Sequence, residues 1–555
     1  MLHVTSMVNR TAMIINKYKR GFLMKKLLLA MVSILMLSIV LVGCNSDDQK
    51  TDGDGGSKGK AKDTLVFGRG GDSTSLDPIT TTEGESFKVT INIFDTLLTY
   101  GKQDTTLQPG LAEKWEASAD GLTYTFNLKK GVKFHDGTDF NADAVVFNFN
   151  RWMNGDADQF PYYSMFGGYK KDEGHVIKEV KAIDESTVQF TLKRPQATFL
   201  KNIAMSCFGI ASPTAVEKYG DKFRENPVGT GPYKFKEWKP NERIVIEKNE
   251  DYYVDGEPKL KTIIFRTIPD NSARLNDLSS GLVDVIDGVN PSDLETIKGN
   301  TNLQAIERPS MNVGYLGFNV TKKPFDNPKV RQALSHAVDK QSIIDAFYSG
   351  LATTAKNPLP DSVEGYNDEI QDYEFDLEKA KALLKEAGYP DGFTMELWAM
   401  PVPRPYIPEG MKIAEAIQAN FEKIGVKAEI KTVDWAAYLD KAAAGEFPAY
   451  MLGWTGDNGD PDNFIYTLLD KDSIGSNNYS YYANDELHDI LIEAQTIVDQ
   501  DKRNELYKKA QEIIHEDAPW IPLVHSTPLL AASADLTGLV PHPTGSDVLK
   551  NVEFK

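Results

Sequence analysis

The sequence predicts an α/β protein that is long enough for several domains. Its 555 residues are 41% apolar and 25% charged, which is ordinary globular composition. Residues 64–308 are rich in short strands and turns, whereas strand and helix patterns alternate from about Pro324 onward. Alternation of this kind forms open, largely parallel sheets with helices on their faces.

Strands are clearest in the first half of the chain. Residues 123–128 and 187–192 alternate polar and apolar side chains with a period of two, and residues 244–247 do so less regularly. Turn signals such as Asp136-Gly137 and Asp255-Gly256 separate these runs. We therefore predict a strand-rich region before residue 308.

Helices and strands alternate in the second half. Asp376 can cap a helix that runs through Ala387 and ends at Gly388, and residues 411–424 have helical spacing up to Gly425. The remaining predictions are strands at residues 393–400, 426–432 and 449–454, helices at 435–444 and 486–517, and an extended tail at 521–555.

The charge and the cysteine content exclude several classes of function. The 80 acidic residues outnumber the 61 basic ones, which gives a net charge of −19. Nucleic acid needs a basic face, so we predict no nucleic-acid partner. Two cysteines and eight scattered histidines supply neither a disulfide scaffold nor a zinc motif. We therefore predict no metal and no other cofactor.

The amino terminus has the pattern of a secretory signal. Met24, the predicted start, and two lysines precede an apolar run that ends at Val42, which is short for a membrane span. Residues 1–43 are thus a predicted signal peptide. The alternative is a signal anchor with an incidental cysteine. The Leu-Val-Gly-Cys sequence that ends at Cys44 resembles the lipobox of bacterial lipoproteins, which implies that Cys44 carries a diacylglycerol. Residues 44–63 are polar and glycine-rich and should form a flexible tether.

Two charged residues follow predicted strands of the second half. Arg404 lies four residues after the strand at 393–400, and Asp457 lies three residues after the strand at 449–454. Ligands of open α/β sheets bind outside the carboxyl ends of strands. A guanidinium suits a carboxylate, and a carboxylate suits an ammonium. The alternative is that the two loops are unrelated surface loops.

Several separated motifs resemble family 5 extracellular solute-binding proteins, the peptide and nickel receptors of ATP-driven importers. They are Cys44 after its lipobox, Pro-Val-Gly-Thr-Gly-Pro-Tyr at 227–233, and Lys-Val-Arg-Gln-Ala-Leu at 329–334 followed by Ala-Val-Asp at 337–339. The resemblance covers about residues 64–555. It implies a two-lobed periplasmic-binding-protein-like fold of the class II type, with an extra subdomain in the first lobe.

The resemblance also implies domain boundaries. Lobe I would comprise residues 64–311 and be completed by residues 527–555, with the extra subdomain at about 111–230. Lobe II would be the contiguous block 312–526. In this family the two lobes close on the ligand, because the ligand contacts both of them.

Within the family, the two loops look most like those of the dipeptide-binding receptors. The resemblance implies that Asp457 holds the peptide ammonium and that Arg404 holds the peptide carboxylate. Pro403, Ile407 and the unpaired Cys207 depart from the pattern. The other implied ligand-binding residues are Trp454, Tyr406, Thr455 and Gly456 around the pocket, and Glu83, Gly84 and Glu85 as an extended strand beside the peptide backbone.

The implied function is capture of dipeptides by a monomeric, lipid-anchored receptor on the extracytoplasmic face of the bacterial cell membrane. The permease and its ATPases would be other chains. The same fold could instead bind an oligopeptide, glutathione or haem, and nickel is disfavoured because no histidine cluster accompanies the loops. A secreted peptidase is the enzymatic alternative, but no catalytic motif supports it. The acidic cluster Asp457, Asp460 and Asp462 lacks a calcium-loop pattern. A purely structural lipoprotein would bind no ligand.

Overall fold

The computed structural model describes residues 62–555. The predicted signal peptide, Cys44 and residues 45–61 of the predicted tether lie outside the described residues. No helix among the described residues has the length and apolar character that crossing a membrane requires.

A seven-stranded sheet contains the first strand of the described chain. With strands numbered along the chain, its order is β12 (Leu303–Glu307), β19 (Leu529–Ser533), β11 (Val285–Ile286), β1 (Thr64–Arg69), β10 (Thr262–Thr267), β9 (Arg243–Lys248) and β8 (Tyr233–Lys239). Strand β1 runs parallel to β10 and β11, and the other pairs are antiparallel. Strand β19 therefore joins the tail of the chain to the sheet that contains β1, as the prediction for lobe I requires.

A separate four-stranded antiparallel sheet lies within the predicted extra subdomain. Its order is β4 (Ala112–Ala117), β5 (Thr123–Leu128), β7 (Thr187–Leu192) and β6 (Ile177–Asp184). The predicted alternating strands β5 and β7 are confirmed, and their inward side chains Phe126 and Phe190 are fully buried. These rings pack with Phe149 into a core of their own.

The six-stranded sheet, which lies within the predicted lobe II, is mixed. Its order is β14 (Ala352–Thr354), β18 (Trp520–Ser526), β13 (Asn312–Phe318), β17 (Ala449–Thr455), β15 (Thr394–Trp398) and β16 (Lys427–Lys431). Strand β15 runs parallel to β16 and β17, whereas the pairs that involve β13, β14 and β18 are antiparallel. The predicted largely parallel sheet is therefore wrong, because β18 returns from the end of the chain beside β13. Two short hairpin-like pairs join β2 (Leu98–Tyr100) to β3 (Leu107–Pro109) and β20 (Leu536–Thr537) to β21 (Glu553–Phe554).

Helices surround these sheets. The α-helices of the described residues are α1 (Gly84–Thr90), α2 (Ala142–Met153), α3 (Phe199–Ile203), α4 (Pro213–Tyr219), α5 (Asn271–Ser279), α6 (Leu294–Lys298), α7 (Pro328–His336), α8 (Lys340–Phe347), α9 (Leu377–Glu386), α10 (Gly410–Glu422), α11 (Trp435–Ala443), α12 (Ile465–Leu469), α13 (Asp485–Thr496) and α14 (Gln500–Asp517). The predicted helices α9, α10 and α11 are confirmed, and Asp376 caps α9 as expected. The helix predicted at 486–517 is two helices, because Ile497 is extended and the Asp499 side chain caps α14.

The chain passes between the two larger sheets twice, along neighbouring segments. The first passage joins β12 to β13, and the second joins β18 to β19. The Arg308 N–H donates to the Pro528 carbonyl over 2.9 Å, and the Asn312 side-chain amide donates to the Ser526 carbonyl over 2.9 Å. The passages lie beside the predicted boundaries at residues 311 and 526, whose assignment as lobe limits stays a prediction.

Candidate ligand-binding site

The loops of Arg404 and Asp457 leave one edge of the lobe II sheet. Strands β15 and β17 are parallel neighbours, with Trp398 opposite Tyr450. The carboxyl ends of parallel neighbours face the same way, so the loop after β15 and the loop after β17 emerge side by side. Arg404 and Asp457 thus follow strands that are neighbours in one sheet, which the sequence did not predict. The ligand contacts assigned to them stay predictions.

Tyr406 packs the first loop onto the second strand. A Cβ added at Gly453 in β17 would lie 2.2 Å from Cδ2 of Tyr406, so only glycine lets the ring approach this closely. The Tyr348 hydroxyl donates to the Tyr406 carbonyl over 2.9 Å. The ring is partly buried, as a pocket wall would be. Tyr406 therefore packs the Arg404 loop against strand β17, the strand that leads to Asp457.

The Asp457 carboxylate is held by neutral donors. The Tyr162 hydroxyl donates to Oδ1 over 3.1 Å, and the Asn463 amide donates to Oδ2 over 3.0 Å. No lysine, arginine or histidine of the described residues lies within 4.0 Å of this carboxylate. Burial raises the pKa of the Asp457 carboxyl, and the two hydrogen bonds oppose the rise. Such a group is suited to a ligand that brings its own positive charge.

Arg404 is placed differently, at the exposed tip of its loop. The backbones of Arg404 and Ile407 exchange two hydrogen bonds of 3.0 Å, which close the loop into a tight turn. The guanidinium lies over the Trp435 ring, with Cζ 4.8 Å from the ring centre. Within residues 62–555, no carboxylate forms an ion pair with Arg404. Its charge is thus available to an anionic group.

The residues just before Asp457 are held mainly through the backbone. Thr455 lies opposite Asn312 at the end of β17, and the Gly456 N–H donates to the Met311 carbonyl over 2.8 Å. The Trp454 indole donates to the Asn463 side-chain oxygen over 3.1 Å. That oxygen also accepts from the Asp457 N–H over 2.9 Å. Asn463 therefore fixes both the backbone and the carboxylate of Asp457.

The predicted extended strand at Glu83, Gly84 and Glu85 is wrong. Helix α1 begins at Gly84, and Glu83 is its cap, because the Glu83 carboxylate accepts from the N–H groups of Glu85 and Ser86 over 2.8 and 3.0 Å. The Glu85 carboxylate pairs with Lys88 over 2.8 Å. Among the described residues, no hydrogen bond or ion pair links residues 83–85 to the loops of Arg404 and Asp457.

Asp460 and Asp462 belong to a buried network behind the Asp457 loop. The Asp460 carboxylate accepts two hydrogen bonds from Arg503, over 2.6 and 2.7 Å, and both side chains are almost fully buried. Burial opposes ionisation of Asp460, but the charge of Arg503 lowers its pKa overall. Burial and the neighbouring charge of Asp460 raise the pKa of Asp462 to about 6. Asp460 and Asp462, but not Asp457, are thus accounted for by a structural network around Arg503.

The Asp457 loop also contacts the predicted extra subdomain. The Lys201 ammonium donates to the Gly459 carbonyl over 3.0 Å, and the side-chain amides of Asn458 and Asn202 are joined over 2.9 Å. Tyr162 adds a third contact. Sequence reasoning missed these partners because they lie more than 250 positions from the loop.

The comparison with family models decides the class of protein. Residues 106–476 match the model of bacterial extracellular solute-binding proteins, family 5, middle region. The chain belongs to this family. Membership confirms the predicted two-lobed fold, and it confirms that the protein binds solutes and is not an enzyme.

Alignments with individual relatives extend over nearly the whole of this family 5 protein. It is 42% identical to the dipeptide-binding protein of Escherichia coli strain K12 over 510 residues, which span 89% of this chain and 95% of the relative. It is 39% identical to heme-binding protein A of Haemophilus influenzae, over 94% of this chain and 98% of the relative. A solved structure, the ABC transporter-associated periplasmic binding protein DppA from Helicobacter pylori in complex with peptide STSA, matches with a TM-score of 0.78 and 36% identity, over 89% of this chain and 98% of that chain.

Proposed function

We propose that this protein is the receptor of an ABC peptide importer and that it captures dipeptides by their two charged ends. The observation that carries the proposal is the pair of opposite charges, Asp457 and Arg404, on loops that leave neighbouring parallel strands. Neither charge has an ionic partner within the described part of the chain. The similarity to the dipeptide-binding protein of Escherichia coli supports the ligand class.

The length of the ligand follows from the two charges. An extended chain spans at most about 3.3–3.6 Å per residue, so the charged ends of a dipeptide lie about 7 Å apart. Two opposite charges on loops that leave neighbouring strands can select that separation. A receptor for longer peptides could keep the ammonium partner, but it could not keep the carboxylate at one distance. Recognition through the two ends leaves the ligand side chains free to vary.

The place of action follows from the amino terminus. A lipid on Cys44 would hold the folded body at the extracytoplasmic face of the cell membrane, and residues 45–63 would give it reach. Bound peptide would pass to a permease whose subunits are other chains. The anchor matters physically because a body of such negative charge is not attracted to anionic lipid.

A length series of peptides tests the proposal. We expect isothermal titration calorimetry to show tight binding of dipeptides such as alanyl-phenylalanine, weaker binding of tripeptides, and little binding of free amino acids. Pentapeptides that bind as tightly as dipeptides would contradict the dipeptide assignment.

If the protein binds haem and no peptide, its ligand is haem and the peptide assignment is wrong. The similarity to heme-binding protein A of Haemophilus influenzae makes haem the ligand to test. Thermal shift provides a second readout, since a ligand of the native state raises its stability by RT ln(1 + [L]/Kd). Mass spectrometry of ligand released from purified protein identifies what the protein captures in the cell.

A further inference from the structure

Arg404 has a neighbour that no ligand argument has used. Its side chain is exposed at the tip of a turn, and a long exposed arginine samples many rotamers. One contact limits that freedom, namely the stacking of the guanidinium over the ring of Trp435, with 4.8 Å between Cζ and the ring centre. A cation above an indole face is attracted to the electrons of the ring.

Trp435 is itself held in place. It is the first residue of α11, whose amino terminus is capped by the Asp434 side chain. Its ring is partly buried and lies nearly parallel to the ring of Tyr438, with 13° between the planes and 6.0 Å between the centres. The ring of Tyr438 is fully buried and also contacts Phe447. Trp435 is thus a supported platform and not a loose surface ring.

The support reaches the sheet that presents both ligand loops. The Tyr438 hydroxyl lies 2.9 Å from the carbonyl oxygen of Trp398 in β15 and 2.9 Å from that of Met451 in β17. These are the strands whose ends lead to Arg404 and Asp457. The Arg404 guanidinium, the Trp435 indole and the Tyr438 phenol therefore form a stack that rests on β15 and β17. The position of Arg404 thus depends on the strands that lead to Arg404 and Asp457.

We propose that Trp435 is a positioning residue for the capture of the ligand carboxylate. It does so by holding the Arg404 guanidinium at a fixed place above the strand ends before the ligand arrives. Preorganisation raises affinity because less side-chain freedom remains to be lost on binding. The inference rests on the proposed function, since it assumes that Arg404 meets a carboxylate. It adds a determinant of ligand length that lies outside both loops.

The test compares alanyl-phenylalanine with its C-terminal amide, which lacks the carboxylate. Calorimetry gives the Kd of both peptides for the wild type, Trp435→Leu, Trp435→Phe and Arg404→Met. We expect Trp435→Leu to weaken binding of the free acid by about 2- to 30-fold, the range of a cation–π contact. Binding of the amide should change far less. Trp435→Phe keeps a ring under the guanidinium and should restore most of the loss.

A purely structural role for Trp435 would give a different result. Loss of packing lowers the affinity for acid and amide by the same factor, and that outcome would overturn the inference. Trp115→Leu, in β4 of the extra subdomain, is the matched control and should leave the ratio of the two Kd values unchanged. Circular dichroism checks the fold, and Trp435→Met replaces Trp435→Leu if the leucine variant does not fold.

The wild type and Arg404→Met separate this inference from the proposed function. If amidation costs the wild type nothing, or if the wild type does not bind the peptide, the carboxylate role of Arg404 fails and the inference falls with it. If Arg404→Met abolishes the cost of amidation while Trp435→Leu leaves it intact, the proposed function stands and the positioning role is wrong.

Discussion

Replacing Asp457 with alanine should abolish most of the affinity for peptides that carry a free amino group. Within residues 62–555, this carboxylate accepts side-chain hydrogen bonds only from the Tyr162 hydroxyl and the Asn463 amide. Both donors are neutral, so the negative charge of Asp457 gains a counter-charge from the ligand ammonium. In Asp457→Ala the ammonium would enter the same site, lose its water and find no counter-charge.

The size of the loss follows from this burial. Truncating one member of a buried, hydrogen-bonded charge pair costs about 2–5 kcal/mol. At about 1.4 kcal/mol for each factor of ten, the Kd should rise roughly 30- to 4,000-fold. An exposed ion pair would be worth less than about 1 kcal/mol. The two ranges do not overlap, so the measurement distinguishes a ligand contact from an ordinary surface acid.

The assay is a double cycle of protein variant against peptide acetylation. Acetylating the amino group should weaken binding to the wild type strongly and should add little to the loss in Asp457→Ala, because both changes remove the same interaction. Additive losses would refute the assignment of Asp457 to the ammonium. Asp221→Ala, which removes an exposed acidic side chain, is the control. Asp460→Ala is unsuitable as a control, because it would leave the buried Arg503 guanidinium without its ionic partner.

The lipid anchor, the buried ion pair and the buried carboxylate each give a further prediction. Cys44→Ser should leave a protein that binds peptide but enters the aqueous phase in a detergent partition, and retention in the detergent phase would contradict lipidation. Asp460→Ala should lower the free energy of unfolding by about 3–5 kcal/mol in urea titrations, because Arg503 stays buried without a partner; a loss below about 1 kcal/mol would contradict this. Asp457→Asn should raise the melting temperature of the ligand-free protein at neutral pH. The raised pKa means that the protonated carboxyl favours the fold, and this stabilisation is lost as the pH rises through the folded-state pKa. The gain should therefore shrink in acid, and an equal gain at all pH values would show another cause.

The sequence predicted correctly those helices and strands that are specified by local features, namely alternating side chains and helix caps. Strands β5 and β7 follow from strict alternation, because each buries one face on the core of the extra subdomain. Helix α9 follows from Asp376, whose side chain caps it in the structure. The break near Asp499 was missed although the same kind of cap marks it.

The partners of the candidate site could not be predicted in this way. Asp460 and Arg503 are separated by 43 positions, and Tyr162 and Asp457 by 295. No periodic pattern links residues at such distances, since the fold alone brings them together. At Glu83 the error was of the opposite kind, because a local signal was present and was overlooked. The resemblance suggested a strand there, whereas the Glu83 carboxylate binds the free N–H groups that begin a helix.

Strand β19 has a consequence for how the molecule assembles. It lies between β12 and β11, so the seven-stranded sheet is interrupted until residues 529–533 are in place. The residues that build the core of the six-stranded sheet, 311–524, all precede it along the chain. A chain that emerges amino terminus first should therefore complete its second lobe while the first is still open. A fragment that ends at residue 526 should show protease resistance in residues 311–524 and in the four-stranded sheet, which has its own core, but not in the strands of the seven-stranded sheet. Equal protection of the seven-stranded sheet would rule out this order.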